Sequence, residues 1–267
     1  TVTHSCVEPN ELALHYPRGE KDLRGACYTW QPQDTVDWFE SRGVQIKTEE
    51  DGRMFPVSDN SQSIIDCLHG QVRKTGVILF NGVGVKSLLY EDERFTLGFS
   101  TGVSKRFDRV CIATGSMKSS TLTQSIEDLG HTIEPLAPSL FAFDIKDERL
   151  KELAGIAVKN ASVRIPPKGK FQTGPVLITH RGLSGPSILK LSAWEARQFN
   201  ELNYEFQIEL NWLGDRNKSD LQTLFSRLRN QHGQQLIKTK VFESLPKRLW
   251  EKILKHLKMS DTMQWAQ

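Results

Sequence analysis

The chain changes texture at Pro135-Leu136-Ala137-Pro138, and this break constrains the fold more than any single motif does. Before it, helical and strand-like patterns alternate. Pro32 opens a helix with Val36, Trp38 and Phe39 on one apolar face and Gly43 as its stop. Asp51-Gly52 is a hairpin turn between Val44–Lys47 and Met54-Phe55-Pro56. Asp59-Asn60-Ser61 offers caps for a helix carrying Ile64, Ile65 and Leu68. Val77-Ile78-Leu79-Phe80 reads as a fully buried strand, Val83–Leu88 and Arg94–Phe99 as a meander, and Val110-Cys111-Ile112 as a buried strand ending at a Thr-Gly turn. A helix with Leu122, Ile126 and Leu129 closes at Gly130, whereas residues 1–30 are broken by Pro9, Pro17, Gly19 and Gly25 and read as irregular.

After the break, Phe141–Ile145, Ala161–Ile165, Val176–Ile178 and Tyr204–Leu210 alternate as short strands of a small sandwich or barrel. From Asp215 the period becomes helical, with Leu221, Leu224, Phe225 and Leu228 on one face, then Leu236–Phe242, then Leu249, Ile253, Leu254 and Leu257 after Pro246. The expected fold class is therefore mixed α/β in three parts: an α/β domain over 1–135, a β-barrel-like domain over 136–213 and a helical one over 214–267.

Of the 267 residues, 38% are hydrophobic and 25% charged, which describes a globular chain and excludes a disordered one. The formal charge is only +3, so nucleic acid is not an expected partner, although the residues from 215 onward carry eleven Lys and Arg against five Asp and Glu. The four cysteines show neither a C-x-x-C pair nor a metal-ligand spacing. Cys67 and Cys111 lie in apolar segments and read as buried thiols of a reducing, cytoplasmic protein. No apolar run reaches membrane-spanning length, so no membrane partner is expected.

Gly82-Val83-Gly84-Val85-Lys86-Ser87 begins like a dinucleotide fingerprint but lacks the third glycine and runs on as strand. Gly182-Leu183-Ser184-Gly185-Pro186 follows Thr179-His180 and imitates a nucleophile elbow, with Pro186 where that motif needs a small residue. The alternative local reading is a tight loop with Ser184 capping a helix over 184–191, whose N-terminus favours anionic groups. His180 and Ser184 are the candidates for acid/base or nucleophilic roles. At Ala113-Thr114-Gly115 the small side chains allow a ligand or another backbone to approach closely.

Taken in order, Val2-Thr3-His4, Tyr16-Pro17-Arg18-Gly19, Pro32–Phe39, Asp51-Gly52-Arg53-Met54-Phe55-Pro56, Ala113-Thr114-Gly115, Gly130–Ile133, Thr179–Pro186 and Leu245–Leu249 resemble one family. This is the FAD-binding flavoprotein family related to YhiN and BaiN, also described as aminoacetone-oxidase-like. The resemblance implies a partial FAD/NAD(P)-binding Rossmann-like domain with an inserted β-barrel-like domain and a helical insert. It implies FAD contacts at Val85, Ala113, Thr114 and Gly115, NAD(P)H as an electron donor and a small-molecule substrate. Family members begin with a glycine-rich phosphate loop before the Val-Thr residues and end with a segment returning to the flavin. Neither is found here, and Ser116 replaces a second glycine. The expectation is a fragment of an FAD-dependent oxidoreductase that alone binds FAD weakly or not at all. A second reading is a non-catalytic binding module using the barrel and the basic helical tail.

Overall fold

The computed structural model describes residues 1–115, 120–239 and 245–266. They form two compact units, Thr1–Pro135 and Leu136–Gln267.

In the first unit, β1 (Thr3–His4), β2 (Ile46–Thr48) and β3 (Arg53–Pro56) make a three-stranded antiparallel sheet in the order β1-β3-β2. Helices α1 (Pro9–Ala13) and α2 (Glu20–Thr29) pack on each other, and α3 (Pro32–Glu40) lies against β1 and β2 with Val36 and Phe39 buried. A capping box starts α3: the Gln31 N–H donates to Asp34 at 2.7 Å, and Pro32 occupies the first turn, where a missing N–H costs nothing. Asn60 caps α4 (Ser61–Lys74) by accepting from the Gln62 N–H at 2.9 Å. A second antiparallel sheet orders β4 (Val85–Glu91), β5 (Arg94–Phe99) and β6 (Ser104–Phe107). Leu122 and Ile126 of α5 (Ser120–Asp128) close over Leu88 of β4, forming this unit's small core.

The second unit is a five-stranded antiparallel sheet, the wall of an incomplete barrel, in the order β11 (Glu209–Asn211), β8 (Ala157–Arg164), β9 (Gln172–Ile178), β10 (Gly182–Ser184) and β7 (Phe143–Asp144). The buried side of β9 alternates through Val176 and Ile178, whereas in β8 an irregularity between Val158 and Ala161 breaks the alternation, and Val158, Val163, Val176 and Ile178 are fully buried. Each such side chain contributes about 1.5–3 kcal/mol. Helix α6 (Pro186–Trp194) packs on β9 and is followed by α7 (Ala196–Glu201). Helices α8 (Lys218–His232) and α9 (Lys247–His256) add Leu224, Leu228, Leu249, Trp250 and Leu254 to the same core, so sheet and helical tail share one interior.

Several sequence expectations are corrected. Val77–Phe80 forms no strand: Ile78 is 77% exposed and the four residues pair with no described strand. Val110-Cys111-Ile112 likewise pairs with no described strand; Cys111 and Ile112 are exposed and Val110 is half-buried against the core of Leu88 and Leu122. An apolar run is buried as a strand only where neighbours cover both its edges and its faces, and no described strand pairs with either run. No parallel pair, and hence no Rossmann-like sheet, occurs among the described residues. Residues 1–30, read as irregular, hold α1 and α2, because Pro9 sits in a first helical turn and Gly19, at φ +77°, initiates the second helix. Cys111 is exposed and Cys67 half-buried, while Cys27 is the buried thiol. Ser184 ends β10, and Gly185, not Ser184, caps α6. Leu236–Thr239 forms a turn rather than a helix, and the rest of the stretch to Phe242, like Ser116, lies outside the described residues.

Candidate functional site

A pocket of about 370 Å³ lies wholly within the first unit. The start of β4 makes one side: Val83, Gly84 and Val85 are held by the Ser100 N–H donating to the Gly84 carbonyl at 2.8 Å, and by the Gly84 N–H donating to Ser100 Oγ at 3.1 Å. A register irregularity between Val85 and Ser87 marks this strand start. Leu88, Leu97 and Leu122 form the floor. The floor is pinned where Ser125 Oγ accepts the Leu88 N–H at 3.3 Å and donates to the Thr121 carbonyl at 3.1 Å. The segment Val110–Thr114 is the opposite wall.

The pocket therefore brings together Val85, Ala113 and Thr114 of the sequence candidates; Gly115 follows at φ +71° but does not line it. Among the described residues no charged side chain lines it, so the described walls offer dispersion contacts rather than acid/base chemistry. Cys111, Ile112 and Ala113 make no backbone hydrogen bond to any described residue, which leaves their amide and carbonyl groups for a ligand or a further strand. A flat heterocycle suits such a wall. For a pyrophosphate the described lining supplies no cation, and the first turn of α5 borders it at Leu122. Sequence reading missed Leu88, Leu97 and Leu122, whose apolar spacing signalled only core.

The two most specific sequence motifs prove to be backbone devices. In Asp51–Pro56, Asp51 accepts from the Arg53 N–H at 3.2 Å and from Arg53 Nε at 2.7 Å. The Arg53 N–H, and next the guanidinium, hold its carboxyl below the usual range. Gly52, at φ +82°, lies under His4, whose ring atoms a Cβ would meet at 2.7 Å. The Cys6 N–H donates to His4 Nδ1 at 3.0 Å, so Nε2 carries the proton and donates to the Asp51 carbonyl at 3.2 Å.

In Thr179–Pro186, Thr179 Oγ1 accepts from the Gly182 N–H at 3.1 Å, and Arg181 pairs with Asp144. Gly182, at φ +153°, lets β10 pass so close to β7 that a Cβ would stand 2.2 Å from the Phe143 carbonyl oxygen. Gly185 similarly abuts the Pro175 carbonyl. His180 is exposed on the turn, Ser184 is half-buried at the strand end, and no hydrogen bond joins them or links Ser184 to another described side chain.

A larger cavity, about 1130 Å³, lies within the second unit between edge strands β7 and β11 and helix α9. Phe141, Phe143, Tyr204, Phe206 and Trp212 give it an aromatic lining. Its carboxylates are engaged: Asp144 with Arg181, Glu209 with Arg164 at 2.7 Å, and Asp147 with Arg149. The Arg149 guanidinium, hydrogen-bonded to both Asp147 oxygens, holds that carboxyl below the usual range, with His256 adding a smaller pull. Sequence reading missed this cavity because its walls come from four separated segments.

Among the described residues no helix is long and apolar enough to cross a membrane. Over 261 residues the chain is 29% identical to a ribosomal RNA dihydrouridine synthase of Escherichia coli K12, matching 94% of this chain and 61% of that protein. It is 24% identical over 262 residues to the protein of the same name in Haemophilus influenzae, again 61% of that protein. It is 25% identical over 201 residues to a 3-dehydro-bile acid delta(4,6)-reductase of Clostridium scindens, 48% of that protein. The chain thus spans roughly three-fifths of the length of the ribosomal RNA enzymes it matches. These relatives overturn the expectation that nucleic acid is not a partner, which rested on net charge alone: a whole-chain charge near zero averages over local surfaces. The second unit coincides with the stretch, residues 137–267, that matches the family model described as the HI0933-like protein barrel and H2TH domain.

Proposed function

We propose that this chain is part of a flavin-dependent reductase that adds hydrogen across the ring double bond of a pyrimidine in ribosomal RNA. The observation that carries this reading is the 29% identity to a ribosomal RNA dihydrouridine synthase, extending over 94% of the chain. Both a dihydrouridine synthase and a delta(4,6)-reductase are named for saturating a carbon–carbon double bond, so two differently named relatives share one kind of chemistry.

In this reading FAD, reduced by NAD(P)H, supplies the hydride, and the protein supplies position and a dry wall. Val85, Ala113, Thr114 and Gly115 would hold its heterocyclic end against the first-unit pocket, with the free amides and carbonyls of Cys111–Ala113 as hydrogen-bonding edges. The exposed apolar runs Val77–Phe80 and Val110–Ile112 suit strands of a nucleotide-binding sheet completed by further chain, which would also bring the phosphate-binding loop. His180 and Ser184 remain candidates for an acid/base role, the hydride addition needing one proton.

The test is to incubate the natural protein containing this chain with FAD, NAD(P)H and unmodified ribosomal RNA, then digest the RNA and measure dihydrouridine by mass spectrometry. NAD(P)H-dependent dihydrouridine supports the proposal. Its absence, with turnover of a conjugated steroid ketone instead, supports the reading suggested by the bile-acid reductase and overturns the RNA one.

A further inference from the structure

We infer that the tip of the β8–β9 hairpin, Lys168-Gly169-Lys170-Phe171, is a contact surface for single-stranded RNA; this rests on the RNA reading above. Between Glu152 and Glu195 the sequence contains no Asp or Glu, yet it carries six Lys and Arg residues. Two of these six are neutralised from outside the stretch, Arg164 by Glu209 and Arg181 by Asp144. Lys159, Lys168, Lys170 and Lys190 have no carboxylate partner among the described residues, and all four are exposed. Lys168 and Lys170 therefore give the hairpin tip two cations without a described carboxylate partner, although the chain as a whole is nearly neutral.

The tip adds what a merely charged face lacks. Phe171 is 41% exposed, and the Arg164 guanidinium backs one side of its ring, 4.4 Å from the centroid. Two hydrogen bonds to Glu209, at 2.7 and 2.9 Å, fix that guanidinium in turn. The turn itself is tight: the Gly169 N–H donates to the Ile165 carbonyl at 2.9 Å, and a Cβ there would meet that oxygen at 2.5 Å. Asp215 accepts a hydrogen bond from Thr173 Oγ1, near the start of β9, at 2.7 Å. Two lysines on the same turn as a braced, exposed aromatic ring match a strand that presents phosphates and splayed bases in turn. An acidic peptide would use the lysines and leave the ring idle.

The experiment measures binding of a fluorescent single-stranded ribosomal RNA fragment to the intact protein by anisotropy, across a salt series. The Lys168→Ala/Lys170→Ala variant should bind roughly tenfold more weakly, with a log K against log salt slope shallower by about 1.4, since each lost contact to a single strand removes about 0.7. Lys168→Arg/Lys170→Arg should retain both. Phe171→Leu should lose roughly 5- to 100-fold in affinity with its salt slope unchanged. A Lys21→Ala/Lys74→Ala control in the first unit should match the wild type, and circular dichroism confirms that each variant is folded. If wild type binds RNA and the tip variants bind with wild-type affinity and slope, this surface is wrong while the RNA reading stands. If wild type binds no RNA, both fall. If a polyglutamate peptide competes on equal terms and Phe171→Leu changes nothing, the face docks an acidic protein and the proposal is overturned.

Discussion

Gly182 and Gly25 carry the same side chain and should respond oppositely to the same substitution. Gly182 sits at φ +153° with backbone atoms of Phe143 and Ile145 where a Cβ would go. Gly182→Ala is expected to cost about 1–3 kcal/mol for the conformation alone, and more for the collision, as a fall in the urea midpoint. Gly25 lies inside α2 with open space around it. Gly25→Ala should therefore raise stability by about 0.5–1 kcal/mol. Asp147 supplies a pH prediction. Its carboxyl is depressed in the folded protein by Arg149, so the pair's contribution is fully present above the ordinary carboxylate range and is lost as pH falls through the lowered folded value. An NMR titration of the Asp147 carboxyl should show a midpoint below that of an unstructured aspartate, returning toward normal in Arg149→Gln.

Helices and hairpins were legible where local chemistry decides them. Pro32 with its capping box, Asn60 as a cap and Asp51-Gly52 as a turn are all found where the residues place them. Asn217, which accepts the Asp220 N–H at 3.0 Å, extends the same logic to α8, and Asn217→Ala should cost about 1 kcal/mol in thermal melts. The failures share one cause. Val77–Phe80 and Val110–Ile112 have a strand's composition, but pairing is a property of the partner, which no local pattern encodes. The reverse error at α1 and α2 came from counting Pro and Gly as breakers at positions where they start helices. Ser125 shows how an element is fastened: Ser125→Ala would orphan the Leu88 N–H beneath α5, at about 1–3 kcal/mol.

For the whole molecule, the texture break at Pro135 was readable and coincides with the boundary between the two compact units. That the barrel wall and helical tail share a core was not, because Leu224, Leu249 and Trp250 announce only an amphipathic face and not its counterpart. The candidate pocket was half legible. Small residues at Ala113–Gly115 pointed to close approach, but its floor comes from α5 and β5 across an unreadable distance. Titrating FAD into the 267-residue chain by fluorescence quenching should show binding weaker than micromolar, since the described pocket lining supplies no cation for a pyrophosphate.

The exposed run Val77-Ile78-Leu79-Phe80 has a further consequence, one of handling in solution and in the cell. It is apolar, uncharged and free of proline, and no described residue bonds to the backbone of Ile78, Leu79 or Phe80. Left open, such an edge templates pairing with its own copies. The isolated chain should therefore scatter light increasingly with concentration, and Leu79→Lys should suppress that clumping without lowering the melting temperature. During synthesis the same four residues would be a natural grip for a chaperone.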